Sequence, residues 1–127
     1  MKITVFTCLA LCAVPLAAQQ VQPEPATAIF ERIKAATVVI LTGEGAGRLQ
    51  AIATGVIISP DGTILTALHA VKGAAEVQVR MANGEVFDRV ELLGSDERRD
   101  VAALKISGRA LPALAAGSAS VAQGDRV

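Results

Sequence analysis

The chain has no tryptophan and no tyrosine, and three phenylalanines are its only aromatics. Proteins that grip single-stranded nucleic acid stack bases on such rings, so no stacking platform is available here. Nor is there an excess of positive charge: Lys and Arg number 12, and so do Asp and Glu. Binding to a phosphate backbone draws on such an excess. Both absences argue against nucleic acid as a partner. Cysteine occurs only as Cys8 and Cys12, and histidine only as His69. What remains is a globular composition, 52% apolar and 19% charged, in 127 residues. That is enough for one small domain.

The two cysteines fall in the opening stretch MKITVFTCLALCAVPLAAQQ. Lys2 gives a short positive start, Ile3 to Leu16 an apolar run, and Ala17-Ala18 a small pair before Gln19. That layout predicts a secretory signal peptide over residues 1–18, cleaved after Ala18. The rival reading, a membrane anchor, needs about 20 apolar residues, and the run is shorter. A lipidated Cys12 is disfavoured by the bulk of Leu11 before it. The expected product is exported, periplasmic or secreted, without a stable membrane span after cleavage. Beyond residue 12 there is no cysteine. The exported part then has no disulfide, no thiolate nucleophile and no cysteine metal site. Residues 19–28, with Pro23 and Pro25, read as a linker.

From Ala28 to Ala36 the pattern AIFERIKAA puts Ile29, Ile33 and Ala36 on one face of a short helix, with Thr27 as its expected cap. Six strands are expected after it. They are Val38–Leu41, Ile52–Ile58, Thr63–Thr66, an alternating strand around Val77 and Val79, Val86–Leu93, and Val101–Ile106. Ser59-Pro60-Asp61-Gly62 is a turn with proline at its second position. Asn83-Gly84 is a strong hairpin signal. The glycines of Thr42–Gln50 lack the third glycine of a dinucleotide fingerprint and the Lys-Ser/Thr of a P-loop, so that stretch reads as a surface loop. Ala67–Val71 reads as a single turn. Leu111–Gly124 is connection, and Asp125-Arg126-Val127 is a strand beginning. Short strands with turns between them imply an all-β barrel or sandwich.

The chemistry narrows to His69, on a turn after one strand, and Asp100, immediately before another. An imidazole can move a proton near neutral pH if a carboxylate fixes its tautomer. Taken singly, His69 reads as a packed histidine and Asp100 as a loop-end cap. Asp96 is a rival carboxylate in the same loop. Residue types and spacing suggest a dyad and leave these alternatives open.

In order along the chain, TGVIISPDGTILTALHAVKGA, VRMANGEVFDRVELLGSDERRDVAALKI and LPALAAGSASVAQGDRV resemble the first half of the trypsin-like domain of the HtrA (Deg) serine proteases. The resemblance runs from about Ile29 to Val127. It is carried by Gly55, the Ile58–Gly62 hairpin, Thr66, His69, Asn83-Gly84, Phe87, Asp100, Ala102 and Leu104-Lys105-Ile106. Gly117-Ser118 and Gly124-Asp125 also fall in place. The resemblance implies the first six-stranded barrel of a double β-barrel, incomplete, with a short N-terminal helix, over residues 29–127. It implies a serine endopeptidase of protein quality control acting on unfolded polypeptides, homo-oligomeric as a complete protein, with no metal or organic cofactor. His69 maps onto the general base and Asp100 onto its orienting carboxylate. Ala70 stands where the family usually has valine.

The family's nucleophile lies in a Gly-Asn/Asp-Ser-Gly-Gly stretch of the second barrel. None of Ser59, Ser95, Ser107, Ser118 or Ser120 is followed by Gly-Gly. Two members of a triad are therefore expected here without the third, and the 127 residues alone are expected to be inactive. The alternatives are a non-catalytic, peptide-binding half-barrel or pseudoprotease, and a structural or metal-binding β domain in which His69 is incidental.

Overall fold

A computed structural model of the chain describes residues 24–45 and 47–117. The predicted signal peptide, the first half of the linker and the strand expected at Asp125 lie outside them. A helix, α1 (Ala26–Ala36), leads into β1 (Thr37–Gly43), β2 (Leu49–Ser59) and β3 (Thr63–Ala67). A single helical turn, α2 (Leu68–Val71), precedes β4 (Glu76–Met81), β5 (Val86–Phe87), β6 (Val90–Asp96) and β7 (Val101–Ile106). Helix α1 starts two residues earlier than expected. Thr27 does not cap it: the Pro25 carbonyl accepts from the amides of Ala28 and Ile29, and Thr27 lies inside the first turn.

The strands form one antiparallel sheet in the order β5-β4-β1-β2-β3-β7-β6. That order forces curvature. Laid flat, seven strands would put the two edges about 29 Å apart at the usual spacing. Yet only Asp88 and Arg89 separate β5 on one edge from β6 on the other, and such a link reaches about 11 Å at most. The sheet must curl into an almost closed barrel, consistent with the expected incomplete barrel. Thr42-Gly43 and Leu49-Gln50, expected in a loop, extend β1 and β2 because the two strands pair as far as Gly43 with Leu49. The other difference is the strand expected at Val86–Leu93. It breaks at Asp88-Arg89 because its first half pairs with β4 and its second with β7. Six expected strands become seven.

Alternation explains the interior. Val38 and Ile40 of β1, Ile57 of β2, Ile64 of β3, Val79 and Met81 of β4, and Leu104 and Ile106 of β7 make the core. On β7 their neighbours Val101, Ala103 and Lys105 are more exposed, the period-2 pattern of a half-buried strand. Gly55 sits where this core is tightest. A Cβ there would lie 2.7 Å from Ile64 Cγ2 and 2.9 Å from Ile40 Cδ1, closer than packed carbons come. After β7 the chain recrosses the barrel, with the Leu111 amide donating to the Pro60 carbonyl and the Leu114 amide to that of Ile57.

Candidate active site

The β3–β7 ladder brings His69 and Asp100 together. Its last pair is Ala67 with Val101. Because the strands run antiparallel, the residues just after β3 and just before β7 emerge at the same end of the sheet. The chain on the β3 side turns into α2, which carries His69. On the β7 side it emerges from the reversal after β6, which carries Asp100. Thirty-one positions of sequence close to contact for this reason alone.

The contact is a three-point clamp. The Asp100 carbonyl accepts from the Leu68 amide at 3.1 Å. Asp100 Oδ1 accepts from the His69 amide at 2.8 Å, and Oδ2 lies 2.5 Å from His69 Nδ1. The ring contact, followed by the His69 amide, holds the Asp100 carboxyl below its ordinary value, against a smaller opposing push from desolvation. An ionised carboxylate is only an acceptor, so Nδ1 must carry the proton. In the neutral ring Nε2 is then the bare, basic nitrogen. His69 is well exposed, and among the described residues no side chain or backbone group is bonded to Nε2. Beside it lies an open cleft of about 350 Å³, walled by Thr42–Glu44 and by the turn from His69 to Ala74. A larger cavity of about 560 Å³ opens between β4 and β6 and includes neither His69 nor Asp100.

The rival carboxylate has other work. Asp96 accepts from the amides of Arg98 and Arg99 and from the Arg99 guanidinium. The guanidinium, then the Arg99 amide, hold its carboxyl below the ordinary value. It closes its own turn and does not reach His69. Sequence reasoning missed two features. Asp100 adopts a left-handed backbone, φ 54°, a conformation uncommon outside glycine though more open to Asp than to most residues. Lys72, just past α2, bridges to Glu97 at 2.8 Å. The first has no local sequence signal. The second follows only once the two turns are known to be neighbours.

Among the described residues no group of three or more His, Cys, Asp or Glu is placed to hold a metal. No helix there is long and apolar enough to cross a membrane. Ser59, Ser95 and Ser107 make no hydrogen bond to the imidazole.

Residues 53–127 match the family described as trypsin-like peptidase domain. A probable periplasmic serine endoprotease, DegP-like, of Pseudomonas savastanoi pv. phaseolicola is 41% identical over 78 residues. The match covers 61% of this chain and 16% of that protein. A protein of the same description from Pseudomonas fluorescens is 43% identical over 75 residues, 59% of this chain and 16% of that one. Among solved structures, a serine endoprotease from Yersinia pestis superposes with a TM-score of 0.64 at 33% identity. That superposition covers 72% of this chain and 33% of the Yersinia chain. The match thus spans about a sixth of the length of these curated relatives.

Proposed function

We propose a function from the premise that this chain belongs to the trypsin-like peptidase family, in its HtrA (Deg) type: His69 is the general base of an exported serine endopeptidase and Asp100 the carboxylate that orients it. The observation that carries the reading is the clamp on His69. With Oδ2 on Nδ1 and Oδ1 on the backbone amide, the ring is held in one tautomer and aims Nε2 outward. In peptide hydrolysis Nε2 takes the proton of an attacking serine hydroxyl as its oxygen bonds to the substrate carbonyl carbon. The resulting imidazolium, steadied by the Asp100 charge, gives that proton to the leaving amine as the C–N bond breaks. Water then repeats the sequence on the acyl-enzyme.

The nucleophile and the oxyanion donors belong, in this reading, to residues outside the sequence described here. No serine in it precedes Gly-Gly, and the relatives are several times longer than the region they share with it. Residues 29–127 are the first barrel of the domain, and 1–18 the export signal. The relatives are named periplasmic, which supports export to the cell envelope. Unfolded polypeptide is the proposed substrate and a homo-oligomer the proposed assembly.

The test is casein hydrolysis by the complete gene product and by the 127-residue chain. Activity in the former, lost in His69→Ala, with none in the latter, is expected. An active His69→Ala protein would overturn the assignment. A complete product inert toward casein and unfolded peptides, yet binding them, would make this a peptide-binding half-barrel instead.

A further inference from the structure

We propose that Asp96 is a positioning residue for the pair His69–Asp100, holding the reversal that aims the Asp100 carboxylate. The inference rests on the reading of Asp100 as the carboxylate that orients His69. Asp96 ends β6 and pairs with Val101 at the start of β7, so residues 97–100 must reverse the chain between two bonded strands. Asp96 Oδ1 accepts from the Arg98 amide at 2.9 Å and the Arg99 amide at 3.2 Å, while Oδ2 meets the Arg99 guanidinium at 2.6 Å. One side chain thereby fixes the two residues immediately before Asp100.

Asp100 is then delivered in the left-handed region, which an L-residue keeps only when its surroundings dictate it. The consequence is geometric. Rotation of Asp100 into the extended region would swing its Cβ about the chain and carry both carboxylate oxygens off His69. The carbonyl that accepts from Leu68 would turn with them. Glu97 also ties this turn to α2 through Lys72. That pair is largely exposed, and exposed pairs contribute little. The bonds of Asp96 lie inside the turn, and two of the three are to backbone, so they set its shape directly.

His69 is the only histidine, so a single imidazole can be read without overlap. In the ¹⁵N-labelled chain, long-range correlations from the ring carbon protons report which nitrogen of the neutral ring is protonated. The wild type is expected to hold its proton on Nδ1. Asp96→Ala is expected to lose that signature, Nε2–H becoming the major form, with the core amides of Val38, Ile64 and Leu104 unshifted. Asp96→Asn keeps an oxygen for the two amides and is expected to restore the wild-type pattern. If Asp96→Ala does not fold, Asp96→Glu, which keeps the charge but displaces it from the amides, carries the same expectation. Retention of the Nδ1–H form in the folded Asp96 variant, with its loss in Asp100→Asn, overturns the proposal and leaves the reading of the pair intact. A wild type protonated on Nε2 overturns both.

Discussion

The two ends of the β3–β7 pair are both fastened by an aspartate, and the fastenings differ in what they leave over. At the hairpin end, Lys105 reaches Asp61 Oδ2 at 2.7 Å and the Asp61 carbonyl at 2.6 Å. Thr63 donates to Asp61 Oδ1, and the Gly62 carbonyl takes the Ile106 amide. At the other end Asp100 takes the amides of Leu68 and His69 and the ring Nδ1. The hairpin end joins a cation that only donates to a carboxylate that only accepts, so each answers the other. The imidazole has two faces, and the clamp uses one. A basic nitrogen is left over, facing a cleft. The same two strands thus carry a closed lock at one end and, at the other, a clamp that leaves a ring nitrogen open, the base of the proposed function. The partner's chemistry makes the difference, since both locks use an aspartate carboxylate.

The strongest way to break that contrast is to remove the base or its tautomer. In the complete protein of the proposed function, His69→Ala is expected to lower kcat by about 10⁶-fold and Asp100→Asn by about 10⁴-fold, with KM little changed, since an asparagine leaves the ring in place with the wrong nitrogen protonated. Asp61→Asn at the other end is expected to leave kcat within about twofold, an effect well under 1 kcal/mol of barrel geometry reaching the site. Peptide hydrolysis with steady-state kinetics separates the two. Equal losses at both ends would mean that Asp100 acts only as a second lock.

Next in size is a change to the packing that both ends share. Gly55 pairs with Thr66 in the β2–β3 ladder, with the side chains of Ile64, Ile40 and Val38 crowded where its Cβ would be. Gly55→Ala is expected to destabilise the barrel by about 1–3 kcal/mol through overpacking, read as a lower urea midpoint at unchanged slope. Gly55→Val should cost more. Stability unchanged in Gly55→Ala would show that the barrel relaxes around the new methyl.

The sequence carried the local features of both ends unevenly. The hairpin end was legible in Pro60-Asp61-Gly62, because a turn is set by adjacent residues and Gly62 does take a positive φ. Part of the core was legible in the alternation around Val77 and Val79, of which Val79 is fully buried, whereas Ile33, on the expected apolar face of the helix, is exposed. The site was legible only by resemblance, because its meaning depends on strand order: Ala67 against Val101 is a pairing no local pattern encodes. The break at Asp88-Arg89 was missed for a related reason. An apolar pattern marks a strand and does not say that its two halves pair with strands on opposite sides of a closing barrel. The left-handed Asp100 was missed because aspartate, unlike glycine, does not advertise that conformation. As sequence, Asp96 is indistinguishable from a rival to Asp100; in the fold its three side-chain bonds all go to Arg98 and Arg99.

The smallest expected effect probes the lock itself through pH. The Lys105 contact, followed by hydrogen bonds from Ser59 and Thr63, holds the Asp61 carboxyl far below its ordinary value. A carboxylate depressed on folding binds fewer protons in the native than in the unfolded state. Its contribution is therefore complete above the unfolded value, near pH 4, and is lost as pH falls through the folded value. Asp61→Asn should be modestly less stable than wild type at neutral pH, and the gap should narrow as the solution is acidified below about pH 4. Asp61 is largely exposed while Lys105 is half-buried, so screening keeps the gap small and high salt should shrink it further. Urea midpoints for both proteins from neutral to acid pH, at low and high salt, read this directly. Asp100 is depressed in the same direction, so wild type and Asp61→Asn should share the acid loss that comes from the site end. Parallel curves over the whole range would mean that the ion pair adds nothing, and that the hairpin end is held by the Gly62–Ile106 backbone bond and its packing alone.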